Sequence, residues 1–442
     1  MTKKVLFYTN AVRVFRTTHI GYLYDICKKY PTILLSEKMD TDTERMLNDK
    51  SLFPNLEKII PVDQRPGQRQ NPFMEIKKNR EGYKLAKEVM DDYQPNVLIA
   101  PTDIHSLFER YLFRFAKKRG ILGLVIQPSN IALSAVTRKW VDYVNAYERY
   151  PRLLPFWLKL FFNKVRKELG HFFYFVFLPL SVGEKPFSRK ASYILRTGNI
   201  GLGDSDYVTV FSKFFRDILL EDKIPEEKIY ILAHPLIKET RGIFEKGYFE
   251  SAKKKKESGK MVLLLLPGVE IGWKIDYSLV QQEERYKKWK EITVLVAKYL
   301  SGWKIVIKPH PDLKDFKKIK NLFNLDSIEI TNPKETLDKF IEIADAIIGL
   351  PLSSSGALFT ASLQCPGKPI LSLDFLKEVL GDYYKDYKGI EYIDNEEKLS
   401  NVLKLIENGQ YKNQSPKEET DLKEFNNVAE LLDYLLQIKI NK

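Results

Sequence analysis

Trp303-Lys-Ile-Val-Ile-Lys-Pro-His-Pro311, Ala344-Asp-Ala-Ile-Ile-Gly-Leu350, Ser353-Ser-Ser-Gly-Ala357 and Lys368-Pro-Ile-Leu-Ser-Leu-Asp374 are the segments on which the fold turns. Three short apolar runs end in small or polar residues, and the middle one passes through serines and a glycine into a helix-like stretch. Strands feeding helices in an α/β sheet have this layout. Free amides at a helix start carry partial positive charge, and only glycine or a small side chain lets a phosphate approach them. The segment therefore predicts a site for a ligand carrying a nucleotide diphosphate.

Outward from this segment, strand-like runs alternate with helix-like stretches, as in parallel sheets covered by helices. The first half predicts strands near Val5 to Thr9, Thr32 to Ser36, Lys58 to Val62, Val97 to Pro101, Leu122 to Gln127, Tyr207 to Phe211 and Ile229 to Ala233. A solvated run, Ser251-Ala-Lys-Lys-Lys-Lys-Glu-Ser-Gly259, reads as a linker, and a second series starts at Val262-Leu-Leu-Leu-Leu266. The expected organisation is an acceptor-side domain over residues 1–240, a donor-binding domain over 241–419, and a C-terminal helix over 420–442 that packs back on the first domain. The default ligand site is a cleft between two similar α/β domains.

Composition sets the outer limits. A chain of 442 residues with 44% hydrophobic content has material for two domains. Its 71 basic and 58 acidic residues leave a net charge of +13, which suits a membrane surface, a nucleotide or a nucleic acid. Cys27 and Cys365 have neither a CxxC nor a zinc spacing, so disulfide and structural-metal readings fall away and a reducing compartment is expected. The start has too short an apolar run for a signal peptide, which points to a cytoplasmic protein.

Between Arg138 and Lys190 the alternation stops, and aromatic, leucine and basic residues are dense. A helical projection of Arg152 to Leu169 places Arg152, Lys159, Asn163, Arg166 and Lys167 on one narrow arc. Leu153, Trp157, Leu160, Phe161, Val165 and Leu169 fall on the remainder. A basic, aromatic amphipathic helix suits the surface of an anionic bilayer. The following run, Phe172 to Leu180, is too short to span and contains Pro179. Peripheral attachment to a membrane is the expectation, against the alternative of a buried helical hairpin.

His19 lies after the first strand, at or just before the first helix, where a neutral imidazole can take a proton from a hydroxyl near pH 7. Such a base generally needs a carboxylate partner, and Asp103, after the strand at Val97, is the natural candidate. The plainer reading makes both residues helix caps. Two Asp-x-Asp triplets, Asp40 to Asp42 and Asp204 to Asp206, are explained by capping and solvation, so no metal site is expected. Thr197-Gly-Asn-Ile-Gly-Leu-Gly203 lacks the Lys-Ser or Lys-Thr of a P-loop and reads as an acceptor-side loop.

The segment His19-Ile-Gly-Tyr-Leu-Tyr-Asp-Ile-Cys-Lys resembles the His-Ile-x-Pro-x-Leu-x-x-x-Ala-Lys segment of inverting GT-B glycosyltransferases, with Tyr22 in place of the proline. The resemblance implies that His19 is the catalytic base and Asp103 orients it. Ala344 to Ala357 and Gly367-Lys-Pro-Ile-Leu371 resemble the donor-binding strand, loop and helix of those enzymes and the strand that follows. Ser353, Ser354, Ser355 and Gly356 would then hold the donor diphosphate, a serine run standing where the family has His-Gly-Gly or Asp-Ser-Gly. Gly268 and Glu270, after the first strand of the second domain, would line the donor site. Lys308-Pro-His-Pro311 is similar to a segment of bacterial capsule and surface-polysaccharide transferases. By that likeness Lys308 and His310 are donor-binding, and His310 would offset charge on the departing diphosphate. His234, before Pro235, reads as structural.

The expected activity is inverting, metal-independent transfer of a sugar from a nucleotide-sugar co-substrate to a glycan or lipid-linked acceptor in surface-polysaccharide synthesis. No cofactor and no nucleic acid are expected. The alternatives are transfer of a polyol phosphate from a CDP donor, nucleotide-sugar 2-epimerisation, and a non-catalytic membrane scaffold or nucleic-acid binder. The His-Gly-Asp-Thr and Arg-Pro-Glu segments usual in the epimerases are absent.

Overall fold

A computed structural model describes residues 3–9, 19–36, 39, 41–62, 72–104, 106–127, 154–188, 200–233, 259–266, 279–310, 316–323, 328–335, 337–350, 356–365, 367–375, 384–385, 387, 389–412 and 424–440. The described chain forms two compact units.

The first unit opens with β1 (Val5–Thr9), α1 (Ile20–Lys29), β2 (Thr32–Ser36), α2 (Thr41–Leu47), β3 (Leu56–Pro61), α3 (Pro72–Tyr93), β4 (Val97–Ala100), α4 (Leu107–Lys118) and β5 (Leu122–Ile126). β1, β2, β4 and β5 are buried at every position, the signature of parallel strands covered on both faces. α5 (Phe156–His171) runs directly into a π-helical segment, Phe172–Phe177, and a last helical turn, Leu178–Leu180. β6 (Tyr207–Val210), α6 (Lys213–Glu221) and β7 (Ile229–Leu232) follow.

The second unit runs through β8 (Met261–Leu266), α7 (Leu279–Tyr299), β9 (Lys304–Pro309), α8 (Phe316–Leu322), β10 (Ile328–Ile330), α9 (Asp338–Ile341), β11 (Ala346–Gly349), α10 (Gly356–Gln364), β12 (Ile370–Leu373), β13 (Glu391–Ile393) and α11 (Glu396–Glu407). Its core joins Val262, Leu264, Ile305, Ile307 and Ile348 of the sheet to Trp289, Ile292 and Val296 of α7. The chain then returns to the first unit. β14 (Glu424–Phe425) pairs with β7, and α12 (Val428–Ile440) lies against α1. There the Val428 amide donates to Asp25 Oδ2 (3.1 Å), and Asp433 accepts from Lys29 and Tyr30.

Both sheets are wholly parallel. The first has the order β14-β7-β6-β5-β4-β1-β2-β3, the second β10-β9-β8-β11-β12-β13. In the first, β1 pairs with β2 on one side and β4 on the other, with Val5 opposite Thr32 and Val97. The order therefore reverses between β1 and β4, and in the second sheet between β8 and β11. At such a reversal the loops leaving the two strands go to opposite faces, which opens a crevice at the carboxyl edge of the sheet. The α/β class and the two Rossmann-like units expected from the sequence are present, and strand ends differ from expectation by two residues at most.

The described part of the aromatic region is helical from Phe156 to Leu180, but turned the other way from an ordinary surface helix. Lys159 and Asn163, expected together on the basic arc, are buried at 2% and 5% exposure. Trp157 and Leu169 are 67% and 64% exposed, and Phe161, Val165 and Phe172 are exposed with them. Arg166, which periodicity puts on the same arc as Lys159 and Asn163, is exposed, so only part of that arc meets the protein. Arg152 and Leu153 lie outside the described residues, as do the linker around Ser251 and His234.

Candidate functional site

The carboxyl edge of the first sheet, at the β1/β4 reversal, brings together the residues that follow those two strands. His19 stands at the N-terminus of α1 with helical backbone angles, and its side chain does not cap the helix. The ring instead turns back to the end of β1, where Nδ1 lies 2.9 Å from Thr9 Oγ1. The edge of Phe7 packs against the imidazole at 6.1 Å between centroids. His19 is fully buried, and its Nε2 has no hydrogen-bond partner. Burial removes water from the charged form and pushes the imidazole pKa down to about 3, so the ring is neutral across the physiological range. A neutral ring with one nitrogen occupied and the other open is chemically a positioned proton acceptor or donor, according to its tautomer.

Asp103, also fully buried, does not orient His19. Its Oδ1 accepts from the Gly201 amide (2.9 Å), and its Oδ2 accepts from the Gly203 amide (2.8 Å) and the Ser205 hydroxyl (2.6 Å). The carboxylate thus fastens the loop that leads into β6. This corrects the expectation that Asp103 orients His19. Asp103 is a loop anchor, because both its oxygens accept from donors of the loop. The described part of the glycine-rich segment, Gly201 to Gly203, presents its amides to a carboxylate of the protein itself. Glycine is required at 203, since a Cβ there would meet the Asp103 carbonyl oxygen at 2.5 Å and its Oδ2 at 2.7 Å. Gly201 has φ +86°, in the left-handed region that disfavours side chains.

Two charged residues beside Asp103 went unnoticed in the sequence. Glu109 is fully buried and completes a capping box with Ser106: the Ser106 amide donates to Glu109 Oε2 (2.9 Å) and the Glu109 amide to Ser106 Oγ (3.2 Å). Burial is the main reason its carboxyl is pushed up to about 8. Arg110 donates to the Ile104 carbonyl from Nη2 (2.9 Å) and Nε (3.3 Å), and its guanidinium stacks 4.5 Å from the Phe175 ring. Burial lowers its pKa to about 10, so it stays charged. Ser106-x-x-Glu109 was the available signal, while nothing in the sequence marks Arg110 as buried.

The Asp204 to Asp206 triplet is taken up by the fold. Asp204 pairs with Arg114 (3.5 Å) and Lys117 (3.6 Å), and Asp206 Oδ2 accepts from the Gly123 amide (2.9 Å). No group of three metal-ligating side chains occurs among the described residues.

In the second unit the reversal falls between β8 and β11. The loop after β8, with Gly268 and Glu270, and Ser353, Ser354 and Ser355 after β11 lie outside the described residues. Gly356 is the first residue of α10, downstream of β11. Lys308 is the fifth residue of β9 and is buried. Its ammonium donates to the Pro309 and Pro333 carbonyls, both at 2.8 Å, so it ties the end of β9 to the turn after β10. That engagement argues against the donor-binding role expected of it. His310 is half-buried at the edge of the sheet, its amide donating to the Leu266 carbonyl (2.9 Å) and so extending the β9–β8 ladder.

No family model matches the chain, and no curated protein matches it by sequence. Solved structures do. The chain is similar to a UDP-GlcNAc 2-epimerase from Neisseria meningitidis bound to UDP-GlcNAc, with a TM-score of 0.54 and 13% identity, over 98% of this chain and 100% of that one. It is similar also to a Methanocaldococcus jannaschii UDP-GlcNAc 2-epimerase in complex with UDP-GlcNAc and UDP (TM-score 0.52, 13% identity, 98% and 99% covered). A third similar structure is that of S. aureus MnaA with UDP (TM-score 0.53, 12% identity, 100% and 97% covered). The fold is of the GT-B type. At this level of identity the likeness extends to the fold alone.

Proposed function

We propose that the protein is a nucleotide-sugar-dependent enzyme that transfers a sugar, with inversion, to a glycan or lipid-linked acceptor at the cytoplasmic face of a membrane. The observation that carries the reading is the neutral, fully buried His19 with an open Nε2 at the ligand edge of the first sheet. With the ring proton on Nδ1, donated to Thr9 Oγ1, Nε2 keeps its lone pair. The acceptor oxygen then attacks the anomeric carbon as its proton passes to Nε2, and the bond from that carbon to the donor's diphosphate oxygen breaks. The electron pair leaves with the nucleotide diphosphate. An imidazole held near pKa 3 is a weak base, so its uptake of the proton runs together with the attack and does not precede it.

On the donor side, Ser353 to Gly356 at the start of α10, with Gly268, Glu270 and His310, are proposed to hold the diphosphate through backbone amides and the His310 ring. This needs no metal ion. Thr9 takes the positioning role that a carboxylate was expected to fill.

Nucleotide-sugar 2-epimerisation is the second reading, favoured by the likeness in fold to two structures described as epimerases across nearly the whole chain. The absence of His-Gly-Asp-Thr and Arg-Pro-Glu segments weighs against it. A melting-temperature panel of UDP-, GDP-, CMP- and CDP-linked donors finds the ligand, since binding to the native state raises the transition. Incubation of the stabilising donor without acceptor then separates the readings, because accumulation of its 2-epimer would replace transfer by epimerisation. His19→Ala is expected to cut turnover by about 10² to 10⁴-fold while donor stabilisation persists. Unchanged turnover would remove His19 from the chemistry, and a panel with no stabilising donor would remove the nucleotide-sugar reading itself.

A further inference from the structure

The inverted helix has an outward face built for a different medium. Trp157, Phe161, Val165, Leu169 and Phe172 recur at helical spacing and are all exposed. The π-helical segment continues the pattern: Phe175 turns inward over the Arg110 guanidinium, whereas Phe172 and Phe177 stay outside. Phe73 (79% exposed) and Met74 open α3, the helix whose Asn79 Nδ2 donates to the Leu178 carbonyl at the end of this element (2.9 Å). Soluble surfaces rarely carry contiguous apolar patches of this kind without a partner.

Charge identifies the partner. Residues 138–190 hold eleven basic and four acidic side chains, so more than half of the chain's +13 lies in this stretch. Lys164 and Arg166 are exposed on α5, with Glu168 half-buried as its single acid. Among the described residues no helix is long and apolar enough to cross a membrane. An α-helix rises about 1.5 Å per residue, so Phe156 to Leu180 lays down roughly 37 Å of such surface, suited to lying in the plane of a bilayer.

We infer that this face seats the protein on anionic phospholipid, with Trp157, Phe161, Leu169 and Phe172 entering the acyl boundary and Lys164 and Arg166 at the headgroups. The inference names the surface for the membrane location proposed above and does not depend on the sugar chemistry. Lys159, expected from the sequence among the headgroup contacts, is instead part of the buried side.

Flotation with vesicles of phosphatidylcholine alone or with phosphatidylglycerol tests it, without any sugar donor. The wild-type chain should float with the anionic vesicles, less so as salt rises. The double variant Phe161→Ser with Leu169→Ser should lose about 100-fold or more in partitioning at an unchanged melting temperature. Brominated lipid should quench Trp157, read as the difference between wild type and Trp157→Phe, which tests the face even if the double variant misfolds. Absence of wild-type flotation, equal flotation of the variant, or unquenched Trp157 would overturn the inference. So would a wild-type dimer that the double variant dissociates, because the face would then belong to a second copy. Turnover on a water-soluble acceptor should be the same in both proteins, so membrane seating and sugar chemistry fail separately.

Discussion

His19 and Asp103 follow neighbouring strands at one edge of one sheet, and both are fully buried, yet they have opposite chemical prospects. Asp103 has three donors on its two oxygens, two of them amides of a glycine loop. His19 has one nitrogen on Thr9 and the other without a partner. A buried polar atom without a partner costs stability, so its persistence at a ligand edge is the mark of a group kept for binding or chemistry. The comparison teaches that a place at the carboxyl edge nominates a residue, and its remaining hydrogen-bonding capacity decides what it can do.

The largest effect that can break the comparison is Asp103→Ala. It strands the Gly201 and Gly203 amides and the Ser205 hydroxyl, and an orphaned buried group costs about 1–3 kcal/mol. We expect a loss of about 3–5 kcal/mol in denaturant unfolding, discounted where the half-buried Gly203 finds water. A change below about 1 kcal/mol would mean the carboxylate is not the loop's anchor. Gly203→Ala comes next. The new Cβ would collide with backbone and carboxylate oxygens that have little freedom to retreat, and overpacking of this kind costs about 1–3 kcal/mol. A stability equal to wild type would show that the loop tolerates displacement and that Asp103 has a freer carboxylate than the hydrogen bonds imply.

Much of this arrangement was legible in the sequence. Val5 to Thr9 and Val97 to Ala100 are short apolar runs followed by polar residues, and that pattern alone put His19 and Asp103 at strand ends. What joined them was not legible. The hydrogen bonds of Asp103 go to residues about 100 positions away, and a lone carboxylate carries no record of a distant loop. Lys308 shows the same limit. A strand-end lysine before Pro-His-Pro looks poised for a phosphate, but the Pro333 carbonyl that claims it comes from the turn after another strand. On α5 the periodicity set Lys159, Asn163 and Arg166 on one arc, but the domain buries only Lys159 and Asn163 and leaves Arg166 exposed, because burial depends on what packs against each turn and a helical projection carries no record of that.

A third effect, spread over two pH units, isolates His19 by its ionisation. Its imidazole is held at about 3 in the folded chain against 6.5 when unfolded, so between those values the unfolded chain binds a proton that the folded chain refuses. Unfolding therefore takes up a proton in this window. Stability falls as pH drops from about 6.5 toward 3, and this group contributes at most about 1.4 kcal/mol per pH unit to the slope. His19→Gln keeps a polar side chain near Thr9 and removes the proton uptake. Denaturant midpoints of wild type and variant between about pH 6.5 and 4.5 should diverge, the wild type losing about 2–3 kcal/mol more over the interval. Parallel wild-type and His19→Gln curves would mean that water reaches Nε2 in the folded protein, and the contrast between an open imidazole and a carboxylate engaged on both oxygens would lose its physical basis.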